Sequence, residues 1–364
     1  MRIVACLLTL SVGAGLGVAA DWPLFRGNAL QTGVAAETLP DKLEVLWKIK
    51  LDDGTESTAA IVKDTVYIGS FDQHLYALDL ATGNTKWKYK AGAIKAPPSV
   101  HDGAVFVGDD EGVFHCVDAA AGKKRWTFET NGEITGGANF AADKVIFGSH
   151  DSTLYCLDRK EGKLAWKVTT KGPVNGSALV AGKLTFVAGC DGELHIIEWE
   201  TGKDIAQVEL QDPAAATAAV EVDKLYVGTM TSNQVHCVDL VKKAIAWSYE
   251  SPRGQPFYSS AAVTDKLVII GGRDKLVHAL DRAKGAPVWT FPTKGRIDGS
   301  PVIAGPRVYI GAGDGNLYVL GLKDGKEVQT IALGRSVMAS PAVANGRLII
   351  GTTDGWLYCL GKKE

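Results

Sequence analysis

Between residues 43 and 361 the chain is built from short apolar runs separated by polar turns. Within a run the side chains either alternate apolar and polar or are continuously apolar, and a 3.6-residue period is never sustained, so the pattern predicts strands rather than helices. The strand unit recurs. One column is the glycine closing an apolar strand: Gly69, Gly108, Gly148, Ala188, Gly228, Gly271, Gly311 and Gly351, spaced by 39, 40, 40, 40, 43, 40 and 40 residues. A second, acidic column follows at Asp79, Asp118, Asp158, Glu198, Asp239 and Asp281, then Gly321 and Gly361. A third is aromatic: Trp47, Trp87, Trp126, Trp166, Ala206, Trp247, Trp289 and Gln329.

Within the first full unit the pattern predicts strands at 58–62, 65–69, 75–79 and 85–89, with a turn at 81–84. Gly and Asp occupy the turns because such positions need positive φ or a side chain that bonds its own backbone. Four antiparallel strands per forty-residue unit is the pattern of a propeller blade. The last repeat holds three strands before the chain stops, while 44–50 reads as a lone fourth strand carrying Trp47. Pairing the two closes the ring. The expectation is an all-β, eight-bladed β-propeller of four-stranded antiparallel blades over 43–364, its last blade completed by the N-terminal strand. Closure removes the open edge that would leave backbone groups unpaired.

Ahead of the propeller, Met1-Arg2, an apolar run and small residues up to Ala20 read as a secretory signal peptide over 1–20, cleaved near Ala20, followed by a lead-in at 21–42. The protein is therefore expected in the periplasm or outside the cell, with no transmembrane segment, as a monomer. Cys6 lies within the leader, too early to serve as a lipid anchor. Of the five remaining cysteines, Cys116, Cys156, Cys237 and Cys359 share one slot of the third strand with Ala77, Ala279 and Val319, and Cys190 stands apart. That slot calls for a small buried apolar group, which a free Cys can supply. A formal charge of −2 excludes the concentrated basic face that nucleic acid requires.

The run 77–87, Ala-Leu-Asp-Leu-Ala-Thr-Gly-Asn-Thr-Lys-Trp, resembles the tryptophan-docking motif of the quinoprotein-like (PQQ-repeat) β-propeller family, with degenerate copies at 118–126, 158–166, 239–247 and 281–289. The lead-in Trp-Pro-Leu-Phe-Arg-Gly-Asn at 22–28 is similar to the one such proteins carry. The resemblance implies that Trp47, Trp87, Trp126, Trp166, Trp247 and Trp289 are structural docking residues. It leaves the activity open, since the repeat occurs in quinone-dependent dehydrogenases, in outer-membrane assembly proteins of the BamB type and in sensor ectodomains. Dehydrogenases of the family commonly add an adjacent-cysteine disulfide and a Ca²⁺ site. This chain has no adjacent Cys pair and no CxxCH haem motif.

Histidines at 115, 195, 236 and 278 share a third-strand slot with Tyr76, Tyr155, Tyr318 and Tyr358, and are expected to be structural. The acidic run 108–112 is expected to be a solvated hairpin, with weak Ca²⁺ affinity as the alternative. Trp199 and Trp356 stand off the docking column and are expected to pack locally. The blade-to-blade connections should gather at one mouth of the channel. Counting back from each inner strand places Glu56, Lys95, Thr135, Asn175, Ala215, Tyr258, Asp298 and Met338 there, with Arg253, Gln255, Arg296 and Arg335 in the same loops. The candidate binding set is Glu56, Lys95, Asn175, Arg253, Tyr258, Arg296, Asp298 and Arg335. No catalytic, cofactor or metal residue is assigned. The expected role is a non-catalytic scaffold for another envelope or extracellular protein, or a peptide. The alternatives are a PQQ-dependent dehydrogenase with calcium, and a small-ligand or peptide sensor.

Overall fold

The computed structural model describes residues 20–363 apart from Ala215, so the expected leader up to residue 19, with Cys6, and the rim position Ala215 lie outside the described residues. Eight four-stranded antiparallel blades follow one another around a ring. Blade 1 comprises Ala60–Val62, Thr65–Ser70, His74–Asp79 and Thr85–Lys90, from the channel outward. Blade 8 joins Ala342–Ala344, Arg347–Gly351 and Trp356–Gly361 to the N-terminal Glu44–Lys50, with Trp47 opposite Cys359.

Burial explains the sequence pattern. The second and third strands are covered on both faces by neighbouring blades and read as continuous apolar runs, whereas outer strands such as Thr85–Lys90 alternate because one face meets water. The third-strand cysteines at 116, 156, 237 and 359 are free and buried, and burial raises their thiols to about 12, and to about 11 at Cys237. They act as packing groups.

Each docking indole bridges to the next blade. Nε1–H of Trp47, Trp87, Trp126, Trp166, Trp247 and Trp289 donates to the carbonyl of Leu80, Ala119, Arg159, Trp199, Arg282 and Leu322 respectively, at 2.8–3.1 Å. The ring lies on a positive-φ turn glycine. A Cβ on Gly83, Gly122, Gly162, Gly202, Gly285 or Gly325 would fall 2.5–2.9 Å from the indole, so only glycine seats it. Of the two off-column tryptophans, Trp199 gives its own N–H to the Gly182 carbonyl at 2.9 Å, and Trp356 lies under the ammonium groups of Lys48 and Lys50.

The lead-in is a strap that winds around the inside of the channel. An inner strand is an edge, and its channel-facing N–H groups need acceptors. The strap supplies them. The amides of Ile61, Val100, Val180, Val220, Val263 and Ile303 donate to the carbonyls of Trp22, Pro23, Ala29, Leu30, Thr32 and Gly33 at 2.7–3.1 Å. Asn139 reaches Ala29 from blade 3 through its side chain, Glu37 accepts from Gly346 in blade 8, and Val34–Ala35 pairs parallel to Val302–Ala304. The strap thus touches all eight blades before entering the closing strand. No helix among the described residues is long and apolar enough to cross a membrane.

Candidate functional site

Inner strands run from the mouth toward the strap, and the residue two places before each strand faces the channel. Seven of these positions form a hydrogen-bonded belt of six bonds. The amides of Gly137, Ser177, Thr217, Ser260, Ser300 and Ser340 donate in turn to the hydroxyls of Ser177, Thr217, Ser260, Ser300, Ser340 and Thr58, at 2.8–3.1 Å. Each hydroxyl ties one blade to the previous one across the channel wall. The belt breaks at blade 2, where Pro97 stands in the column, and the strap residue Phe25 lies against Gly137 beside this gap.

Above the belt opens a cavity of about 170 Å³, with Phe25 in its lining together with Glu56, Lys95, Thr135, Asn175, Tyr258, Asp298 and Met338. Arg253, Arg296 and Arg335 are exposed and stand outside that lining. Arg296 reaches the rim through Asp298, its Nε 2.9 Å from the carboxylate, while Arg273 holds the other oxygen at 2.6 Å and lies 3.6 Å from the centre of the Tyr258 ring. Lys95 pairs with Glu133 at 3.3 Å, and Asn175 donates to the Cys190 sulfur at 2.9 Å. Arg253 turns away to the Asp274 carbonyl, fastening the long 251–258 loop to its own blade. The mouth is a shallow polar cup whose rim charges are mostly paired.

The titratable groups elsewhere form a structural ladder that sequence reasoning missed. An aspartate in the hairpin between second and third strands takes the polar atom of the third-strand ring. Tyr76 donates to Asp72, Tyr155 to Asp151 at 2.7 Å, and Tyr318 to Asp314 at 2.8 Å. His115, His195 and His278 meet Asp109, Asp191 and Asp274 in the same way. The run 108–112 is a hairpin with Asp110 and Glu111 exposed, as expected, but Asp109 is not solvated. Asp109 is 1% exposed and accepts from the amides of Gly92, Glu111 and Val113 as well as from His115. Burial alone would raise its pKa, but these bonds outweigh it and hold the carboxyl below its ordinary value. Asp191, Glu193 and His195 bring potential ligand atoms within 4.8 Å of one another. Both ring nitrogens of His195 are already engaged, by Asp191 at 2.9 Å and Asp204 at 2.8 Å.

The strap contains the one strongly perturbed arginine among the described residues. Arg26 is 1% exposed, and burial pushes its pKa down to about 9.

Comparison with known proteins agrees with this architecture. The family described as "Beta-alanine-activating enzyme, beta-propeller" matches residues 94–361. The quinohemoprotein alcohol dehydrogenase ADH-IIG of Pseudomonas putida is 30% identical over 120 residues, 28% of this chain and 17% of its own length. The 1-butanol dehydrogenase (cytochrome c) of Thauera butanivorans is 27% identical over 136 residues, 31% of this chain and 20% of its own. The match thus spans about a fifth of either relative. BamB from Moraxella catarrhalis superposes with a TM-score of 0.75 at 22% identity, over 89% of this chain and 98% of that one. The solved structure of quinohemoprotein alcohol dehydrogenase ADHIIG from Pseudomonas putida HK5 gives 0.82 at 14% identity, over 95% and 81%.

The dehydrogenase likeness raises the question of a bound quinone. Sites for molecules of that size enclose roughly 300–1,000 Å³. The mouth offers about 170 Å³ with Phe25 in its lining, and the chain has no adjacent cysteines to stack on such a ring. With the family match running from the second blade to the closing one, this chain belongs to the β-propeller family described as "Beta-alanine-activating enzyme, beta-propeller".

Proposed function

We propose that this chain is a non-catalytic scaffold of the cell envelope or extracellular space, similar in kind to BamB, and that a protein partner docks on the channel mouth. The observation that carries this reading is the state of the channel. Its own strap bonds to the inner strands along the channel wall and Phe25 lines the mouth cavity, so recognition falls to the rim rather than to an enclosed site. The side chains with the chemistry for catalysis support the same reading, because the ring histidines and hairpin aspartates spend their polar atoms on one another. Tyr258 is the natural anchor, an aromatic held rigid by Arg273 beside exposed Arg296. Such aromatic and arginine residues dominate binding energy at interfaces.

The test is photo-crosslinking from rim positions in envelope extracts, followed by affinity measurement with the captured protein. Replacing Tyr258 and Arg296 together by alanine is expected to weaken that affinity at least about tenfold, a loss of roughly 1.4 kcal/mol or more. An unchanged affinity would remove the rim from the reading. The sequence likeness to ADH-IIG favours the dehydrogenase as the second reading, and a titration with PQQ and Ca²⁺ separates the two. The scaffold reading expects no rise in melting temperature and no dye-coupled alcohol oxidation. A rise accompanied by turnover would replace it.

A further inference from the structure

The strap buries a charge without a counter-charge. The Nη2 of Arg26 donates to the Ala261 carbonyl at 3.0 Å, and its Nε and Nη1 are buried with no acceptor. Gln31 is fully buried, and neither atom of its amide finds a partner. The two residues belong to one closed loop, because the Gly33 N–H donates back to the Arg26 carbonyl at 3.1 Å. The guanidinium lies across that loop. A Cβ on Gly33 would fall 1.9 Å from Nη2, so glycine is required for Arg26 to rest there. Ala261 follows Ser260 of the hydroxyl belt directly, which places the guanidinium in the channel just beneath the belt.

A guanidinium does not give up its proton at physiological pH, and a buried ion is tolerated only when charge and hydrogen bonds are both answered. No carboxylate among the described residues pairs with Arg26. Water could accept from Nε and Nη1 but would leave the charge standing. A small anion answers both, and Gln31 Nε2, a donor of the same loop, is without an acceptor. We propose that the strap loop binds a small monovalent inorganic anion, of halide size, on Arg26 Nε and Nη1 and Gln31 Nε2. The sealed surroundings favour a spherical ion over an organic acid, since both side chains are essentially inaccessible. In this arrangement the anion is a component of the channel closure, and the strap holds its place only when the site is filled. The proposal concerns the strap and is independent of the reading of the rim.

The experiment uses bromide as the probe. Crystals of the mature protein grown in bromide should show an anomalous peak within hydrogen-bond reach of Arg26, and no peak there, with water density instead, overturns the proposal. In solution, chloride is exchanged for gluconate at constant ionic strength. Above the dissociation constant each tenfold rise in chloride should raise the melting temperature by about 2 °C for a chain of this size. Arg26→Met and Gln31→Leu should abolish and weaken that dependence respectively. Should Arg26→Met fail to fold, the wild-type bromide and chloride measurements still decide. A wild-type melting temperature indifferent to chloride alongside a bromide peak means binding at crystal concentration only, and that too overturns the proposal.

Discussion

The protonated ring of His195 donates a hydrogen bond from each side, to Asp191 and to Asp204, and the residue is 2% exposed. Burial alone would lower its pKa. The bonds to the two carboxylates and their charges outweigh that effect, so the ring titrates above its ordinary value. The sign of the consequence follows from linkage. A pKa raised on folding means the folded state binds the proton more tightly, so the stabilisation is fully present below the unfolded value, about pH 6.5, and is lost as pH rises through the folded one. Asp109 and Asp274 run the other way: their lowered values contribute stability above the unfolded carboxylate range, and it is lost on acidification. Replacing His195 by Gln should cost about 1.5–3 kcal/mol near pH 6, by urea denaturation, and less at each step toward alkaline pH. A difference between wild type and variant that does not change with pH would mean the ring is neutral and serves only as a spacer.

Between blades, the unit of construction is a tryptophan and the glycine beneath it, and the chain contains its own controls. Where the column carries Ala206, the turn position of the next blade is Lys243, at φ 55°. No indole is present to demand glycine there. Where it carries Gln329, the next blade has no third-to-fourth turn, because its fourth strand arrives from the N-terminus. The Gln329 amide instead bonds both backbone groups of Leu43, at 2.8 and 3.0 Å. Ala206→Trp alone should destabilise by pressing an indole on the Lys243 backbone and Cβ, whereas Ala206→Trp with Lys243→Gly should recover the loss. A favourable coupling of about 0.5–3 kcal/mol in the double-mutant cycle is expected, and additivity would show that the glycine's role is confined to its own turn. The Trp column was legible because indoles are rare and their spacing regular. The hydroxyl belt stood at the same spacing, at Thr58, Ser177, Thr217, Ser260, Ser300 and Ser340, but Pro97 and Gly137 interrupt it and serine is common in loops. The hairpin aspartates were equally regular and went unread because each looks like an ordinary turn residue. The rim positions followed from counting alone, while Arg253 and Arg335 did not, since loop membership says nothing about the direction of a long side chain.

At the scale of the whole ring, residues 21–50 do two separable jobs. Glu44–Lys50 completes blade 8 and closes the circle. The strap before it answers inner-strand amides in six blades through its own carbonyls, a contact that leaves no side-chain signature and so no column in the sequence. Removing residues 21–42 while keeping the closing strand should therefore leave a propeller that still closes but whose inner edges have lost their acceptors. Hydrogen exchange distinguishes the jobs. In the intact chain the amides of Ile61, Val180, Val220, Val263 and Ile303 should be protected, because each is bonded to the strap and sealed from water. In the truncated chain these amides should exchange near the rate of open loops, while the second and third strands, paired on both sides within each blade, keep their protection. Loss of protection spreading evenly through all strands would mean that the strap nucleates the fold rather than lining it. Unchanged protection at the inner edges would mean that water does not enter the channel without it. The predicted outcome lies between these, because blade-to-blade cohesion resides in the indole joints and the hydroxyl belt, neither of which the strap supplies.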